Sequence, residues 1–128
     1  IMRMNQQVVQ NKNLLLKNEE LTKHSVRVNP DDEMQVMEVW VRDITFLDIQ
    51  AAAQRMINVV DGDITLNLES YWDFAFSNWI QKTNPSLSDS ELKKLKGYVG
   101  EQISKTLPQP AELMMALQGG FTNPGKEE

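Results

Sequence analysis

From residue 36 to residue 44 apolar and polar positions alternate. Met37, Val39, Val41 and Asp43 fall on one side and Val36, Glu38, Trp40 and Arg42 on the other, the two-residue repeat of a strand with an apolar odd face. At Phe46 the period changes. Phe46, Ile49, Ala53, Met56 or Ile57, and Val60 recur every three or four residues, a spacing that buries one side only as a helix, so a helix is expected over 46–60. Thr45 stands at the joint as N-cap, and Asp48 three residues on completes an acidic capping box. The joint, RDITFLD, holds no glycine, so its backbone has no phosphate-cradling loop and its role is architectural.

The flanking segments extend the pattern in both directions. Residues 1–13, rich in Gln and Asn, read as an extended arm. Apolar Leu14, Leu15 and Leu16 and the alternating run 25–28 suggest two short strands, and the turn-rich NPDDE at 29–33 leads into the strand at Val36. Beyond the first helix, Asp61-Gly62-Asp63 makes a turn, and Ile64, Leu66 and Leu68 alternate in an extended link. A second helix follows Ser70, with Trp72, Ala75, Phe76, Trp79 and Ile80 as its stripe, and ends before Pro85. LSDSEL is a complete start signal, with Ser88 and Glu91 as capping box and Leu87 and Leu92 as staple. It opens a helix over 87–107, with Leu92, Leu95, Val99 and Ile103 inward and Gly97 or Gly100 as points of bending; Pro108 stops it. A short helix over 111–118, closed by Gly119, precedes a polar tail.

The fold expected is therefore α+β, with a small N-terminal antiparallel sheet of two to three strands and a compact body of about four helices. Its parts are the arm at 1–13, one domain at 14–118 (β-rich over 14–44, mainly helical over 45–118) and the tail at 119–128. A chain of 128 residues has room for one core.

Composition narrows the chemistry more than it narrows the fold. Eighteen acidic and 13 basic residues leave a net charge of −5, which disfavours phosphate-backbone binding as the main activity. With no cysteine and one histidine, zinc clusters, disulfide scaffolds and thiol catalysis drop out. No apolar run approaches the roughly 20 residues of a membrane span, and the N-terminal residues lack the apolar centre of a signal peptide, so a soluble intracellular protein is expected.

Each local candidate has a simpler structural reading. DGDITLNLE resembles a calcium loop, but its sixth and twelfth positions are Leu66 and Trp72 where glycine and glutamate are needed. Asp43, Asp48, Asp61 and Asp63 are candidates for a carboxylate pair, yet caps and turns account for all four. His24 has no nucleophile or acid at a motif spacing. Tyr71, Trp72, Phe74, Phe76 and Trp79 are more consistent with packing than with a stacking surface, and Lys93, Lys94 and Lys96 with a solvated helix face. No catalytic, cofactor-binding or metal-ligating residue is assigned. The candidate partner-docking residues are Val8, Val9, Trp40 and Phe121.

The stretch VWVRDITFLDIQAAAQ and the later LSDSELKKLKGYVGEQISKTLPQP resemble the small tail and baseplate assembly proteins of tailed bacteriophages, tail assembly chaperones among them. The shared flavour is V-x-V-R-x-[IL]-T, here Val39, Val41, Arg42, Ile44 and Thr45, and the resemblance spans about residues 25–110. It implies a non-enzymatic protein without cofactor that binds other tail or baseplate proteins, as a virion structural adaptor or as a chaperone. It places that protein in the virion or in the host cytoplasm during assembly. Self-association is open; neither nucleic acid as main partner nor a membrane is implied. The competing readings are a small carboxylate-dependent enzyme and a nucleic-acid accessory protein using Lys93, Lys94, Lys96 and the aromatics.

Overall fold

Alternation along β2 (Val36–Val41) buries Met37, Val39 and Val41 and turns Glu38 and Trp40 outward, and this strand organises the structure, a computed structural model that describes residues 5–117. β2 is the centre of a three-stranded antiparallel sheet between β1 (Thr22–Arg27) and β5 (Ile80–Asn84). Val26 opposes Met37 on the inner face, where His24 and buried Thr83 flank Val39. The outer face carries Lys23 opposite Trp40, Ser25 opposite Glu38, and on the other flank Lys82 opposite Trp40 and Asn84 opposite Glu38.

Between β2 and β5 the chain makes one long excursion. α1 (Phe46–Met56) leaves the end of β2, and α2 (Leu68–Trp79) returns to the start of β5. Val41 pairs with Ile80, and the Arg42 amide donates to the Trp79 carbonyl at 3.0 Å, so α1 begins where α2 ends. The two helices are therefore antiparallel legs. Eleven residues of α1 rise about 16 Å. At the far end stands a second, two-stranded sheet, the hairpin of β3 (Ile57–Val60) and β4 (Asp63–Leu66). Its base is closed by the Asn67 amide donating to the Met56 carbonyl at 2.7 Å.

α3 (Asp89–Leu92), α4 (Gly97–Ser104) and α5 (Pro110–Leu117) complete the body, α4 against β1 and α5 against α1. The core joins the inner sheet face to Ala52, Ala53 and Met56 of α1, Tyr71, Ala75 and Trp79 of α2, and Leu92, Val99, Ile103, Leu107 and Leu113. The Tyr71 hydroxyl donates to the Pro108 carbonyl, pinning the α4–α5 link to α2. Burial, with a smaller contribution from Glu112, pushes its pKa up. Thr83, buried in β5, donates to the Pro85 carbonyl and accepts from the Leu87 amide, which turns the chain from the sheet toward α3.

The α+β class and the antiparallel sheet agree with the sequence reading; five local expectations are corrected. The second helix starts at Leu68 instead of after Ser70, because the Asn67 side chain accepts from the Ser70 amide and caps the turn before it. The first helix stops at Met56 instead of Val60, because Asp61 and Gly62 take φ of 53° and 84°. Positive φ at both central residues is the signature of a type I′ turn, whose twist suits a two-residue hairpin, and β-branched Ile57, Val59 and Val60 join the strand it organises. Ile80 belongs to β5 and not to the aromatic helix, since Thr83 and Asn84 pair with β2. The expected helix over 87–107 is two: α3 is a single turn, Lys93 and Lys94 form a turn, and α4 starts at Gly97. The inward residues remain as expected, Leu92, Val99 and Ile103 buried and Leu95 packed against them. Residues 14–16 form no strand. Lys12–Leu14 is a 3-10 turn capped by the Asn11 side chain, and the third strand of the sheet is β5.

Candidate docking surfaces

The β3–β4 hairpin pairs Ile57 with Leu66 and Val59 with Ile64. Residues opposite one another in an antiparallel pair point to the same side, so these four make one apolar face and Asn58, Val60, Asp63 and Thr65 the other. Beyond half-buried Ile57 the apolar face is uncovered. Val59 and Ile64 are each 67% exposed and Leu66 is 50% exposed, and Leu68 just past the hairpin is exposed as well. An isolated two-stranded hairpin is marginal in water, and here it projects beyond the helical legs with its apolar residues in solvent. Asp61 and Asp63 sit at its tip. No Lys or Arg occurs between Arg55, in the last turn of α1, and Lys82, so the hairpin itself is apolar and acidic.

The outer face of the larger sheet has the opposite character. Trp40 lies half-buried at its centre, with the Lys82 ammonium 4.6 Å and the Lys23 ammonium 6.0 Å from its ring centre. Stacking of a cation on an indole face is favourable, and it holds both lysine stems against the ring. Arg27 and exposed Val36 extend this face along the strands. Its one carboxylate, Glu38, bonds to Lys23 at 3.3 Å and accepts from Asn84. The Asn84 bond first, then Lys23, holds Glu38 below the usual carboxylate pKa. Three cations against one carboxylate leave the face positive.

A third surface lies at the strand-to-helix joint. Leu14, Leu15 and Leu16 together with Ile44, Phe46 and Leu47 line a shallow depression, and all but Ile44 are exposed. The Asn18 amide donates to the Asp43 carboxylate at 2.8 Å and ties the N-terminal segment there.

Of the docking residues expected from sequence, Val8 (83% exposed) and Val9 lie on the arm, where residues 5–11 form no regular element, and Trp40 lies on the outer sheet face. Phe121 is outside the described residues. The four carboxylates go to separate tasks. Asp43 holds Asn18, Asp48 bonds to Arg42 and caps α1, and Asp61 and Asp63 shape the hairpin tip. Among the described residues no group of three His, Asp or Glu side chains is arranged to hold a metal ion. The aromatic cluster divides: Tyr71 and Trp79 are buried, while Trp72 and Phe76 are half-buried and line a groove with Glu69, Asp73, Leu92 and Lys93. Lys93 bonds to Asp73 at 3.1 Å.

No protein-family model, curated protein or solved structure matches the chain. Among the described residues no helix is long and apolar enough to cross a membrane.

The sequence reading missed the hairpin face of Ile57, Val59, Ile64 and Leu66. Its signal was present: Asp-Gly flanked by alternating apolar residues is the strongest short-range mark of a hairpin. The apolar spacing of 46–60 masked it, because Ile57 and Val60 also fit a helical stripe.

Proposed function

We propose that this protein acts by binding other proteins, without catalysis, as a component of bacteriophage tail or baseplate assembly, either as a virion structural adaptor or as a tail assembly chaperone. The observation that carries the reading is the uncovered apolar face of the β3–β4 hairpin, held away from the sheet by two helical legs. Exposing such a face has a cost in solubility that a docking partner would offset by covering it. The assembly context rests on the resemblance of residues 25–110. The matching residues have structural work to do: Val39 and Val41 are core, Arg42 bonds to Asp48, and Thr45 caps α1.

The joint depression of Leu14 to Leu16, Phe46 and Leu47 gives a second apolar contact, and Val8 and Val9 on the arm a third. Mass spectrometry of purified phage particles separates the two roles. An adaptor is present at a fixed copy number per tail, and a chaperone is present in assembling extracts and missing from finished particles. A protein found in neither, and not recovered with any co-expressed tail or baseplate protein, would overturn the proposal.

A further inference from the structure

The hairpin and the outer sheet face are complementary in charge and in apolar content. One is an aliphatic face with a carboxylate tip. The other is a tryptophan and an exposed valine framed by Lys23, Arg27 and Lys82. They cannot meet within one molecule. The hairpin stands at the end of legs about 16 Å long that start from the sheet, and the outer face is turned away from those legs because the inner face is packed against them. We infer that the two surfaces meet between copies of this chain, the hairpin of one seated on the outer sheet face of the next, in a head-to-tail contact. This inference rests on the docking reading above and names one occupant of the hairpin: a second copy.

The geometry suits the contact. A two-stranded sheet laid on a three-stranded one is a sheet-on-sheet packing, with Val59 and Ile64 against Trp40 and the aliphatic stems of Lys23 and Lys82. Asp61 at the tip then comes within reach of the cations around Trp40, while Asp63 lies on the hairpin's other face. The other basic stretch, Lys93 to Lys96, is a poorer seat for an acidic tip: the groove of Trp72 and Phe76 beside Lys93 also carries Glu69 and Asp73, and Asp73 engages Lys93. Two hairpins meeting face to face would bring two acidic tips into one contact, which charge disfavours. A contact between two different patches repeats from copy to copy, so it closes into a ring or grows as a filament, whereas a two-fold contact stops at a dimer.

The test uses the full chain and two variants at exposed positions. Val59→Lys with Ile64→Lys spoils the hairpin and leaves the sheet face; Arg27→Ser with Lys82→Ser spoils the sheet face and leaves the hairpin. In sedimentation at tens of micromolar and low salt, the parent chain should run above monomer mass and shift toward monomer as salt rises. Each variant alone should be a monomer with circular dichroism like the parent's. Mixed one to one they should form a dimer and nothing larger, because a single intact hairpin and a single intact sheet face remain to pair. A parent chain that stays monomeric, a hairpin variant that assembles like the parent, or a mixture that stays monomeric would each overturn the inference. So would a monomer whose outer face instead binds a single-stranded oligonucleotide with quenching of tryptophan fluorescence. No tail protein is present in this experiment, so its failure leaves the proposed binding of tail proteins to be judged separately by co-purification.

Discussion

Arg42 holds Asp48 by two hydrogen bonds, Nη1 to one carboxylate oxygen at 2.7 Å and Nη2 to the other at 3.2 Å. The same carboxylate accepts from the Thr45 amide at 2.8 Å, and the Arg42 Nε donates to the Asn78 carbonyl at 3.0 Å. One ion pair thus fixes the end of β2, the cap of α1 and the last turn of α2, the three pieces that set where the hairpin points.

The pair makes stability depend on acid. The bond to Arg42 first, then those to Thr45, lower the Asp48 pKa from 3.8 to about 2, against the cost of burial. The folded value lies below the unfolded one, so the stabilisation is complete above about pH 4 and is lost as pH falls toward 2. Its size at neutral pH is on the order of 2 kcal/mol by linkage. Denaturant unfolding of the parent and of Asp48→Asn should differ by about that much at pH 7 and converge near pH 2. A difference independent of pH would mean that the pair contributes only through packing.

Trp79 is fully buried, and its indole nitrogen has no hydrogen-bond partner among the described residues. Its ring packs edge-on against Tyr71 and Phe74. Trp79→Ala should cost roughly 3 to 5 kcal/mol in chemical denaturation. Trp79→Phe should cost much less, about 1 to 2 kcal/mol, because the smaller ring keeps much of the contact and removes an unsatisfied donor. Equal losses for the two variants would show that a phenyl ring recovers none of the indole's contacts.

Ser88 caps α3 and completes a box with Glu91: the Glu91 amide donates to Ser88 Oγ at 3.2 Å, and Glu91 Oε1 accepts from the Ser88 amide at 2.9 Å. Ser88→Ala should lower stability by about 1 kcal/mol in thermal or urea unfolding, even though the helix it starts is one turn long. That turn places Leu92 in the core. A change within experimental error would mean that the start of α3 is held by Leu92 alone.

Gly62 takes φ of 84° at the hairpin tip with open space around it, so an added methyl meets no neighbour and the cost is conformational. Gly62→Ala should weaken the hairpin by about 1 kcal/mol, read as a roughly fivefold faster amide exchange in β3 and β4. The melting temperature of the body should hardly move, because the hairpin adds no buried residue to the core. A fall in the global melting temperature of several degrees would show the hairpin to be part of the cooperative unit.

Local signals were readable wherever one principle acted alone. Thr45 with Asp48 and Ser88 with Glu91 are seen as capping boxes where the sequence places them, and Met37, Val39 and Val41 are the buried face of their strand. Errors arose where two readings fitted the same residues. Ile57 and Val60 suit both a helical stripe and a strand, and only the Asp61-Gly62 turn decides. Ile80 continues the apolar spacing of α2 but is drawn into the sheet by β2, a partner 39 residues earlier at Val41 that no local pattern reveals. The site was less legible than the fold for the same reason. Trp40 could be placed on a strand, but its framing by Lys23 and Lys82 depends on strand pairings across the chain. The exposure of the hairpin follows from its position beyond the helical legs.

Docking through the hairpin, as proposed above, is open to a direct co-purification test. The full chain and its Val59→Lys/Ile64→Lys variant are each co-expressed with candidate tail and baseplate proteins, affinity-purified, and quantified by mass spectrometry, with thermal unfolding of each isolated protein alongside. The parent should recover at least one defined tail or baseplate protein in a fixed ratio, and the variant should lose it while melting within about a degree of the parent, since both substituted side chains are two-thirds exposed. Recovery of the same tail protein by parent and variant alike would contradict it.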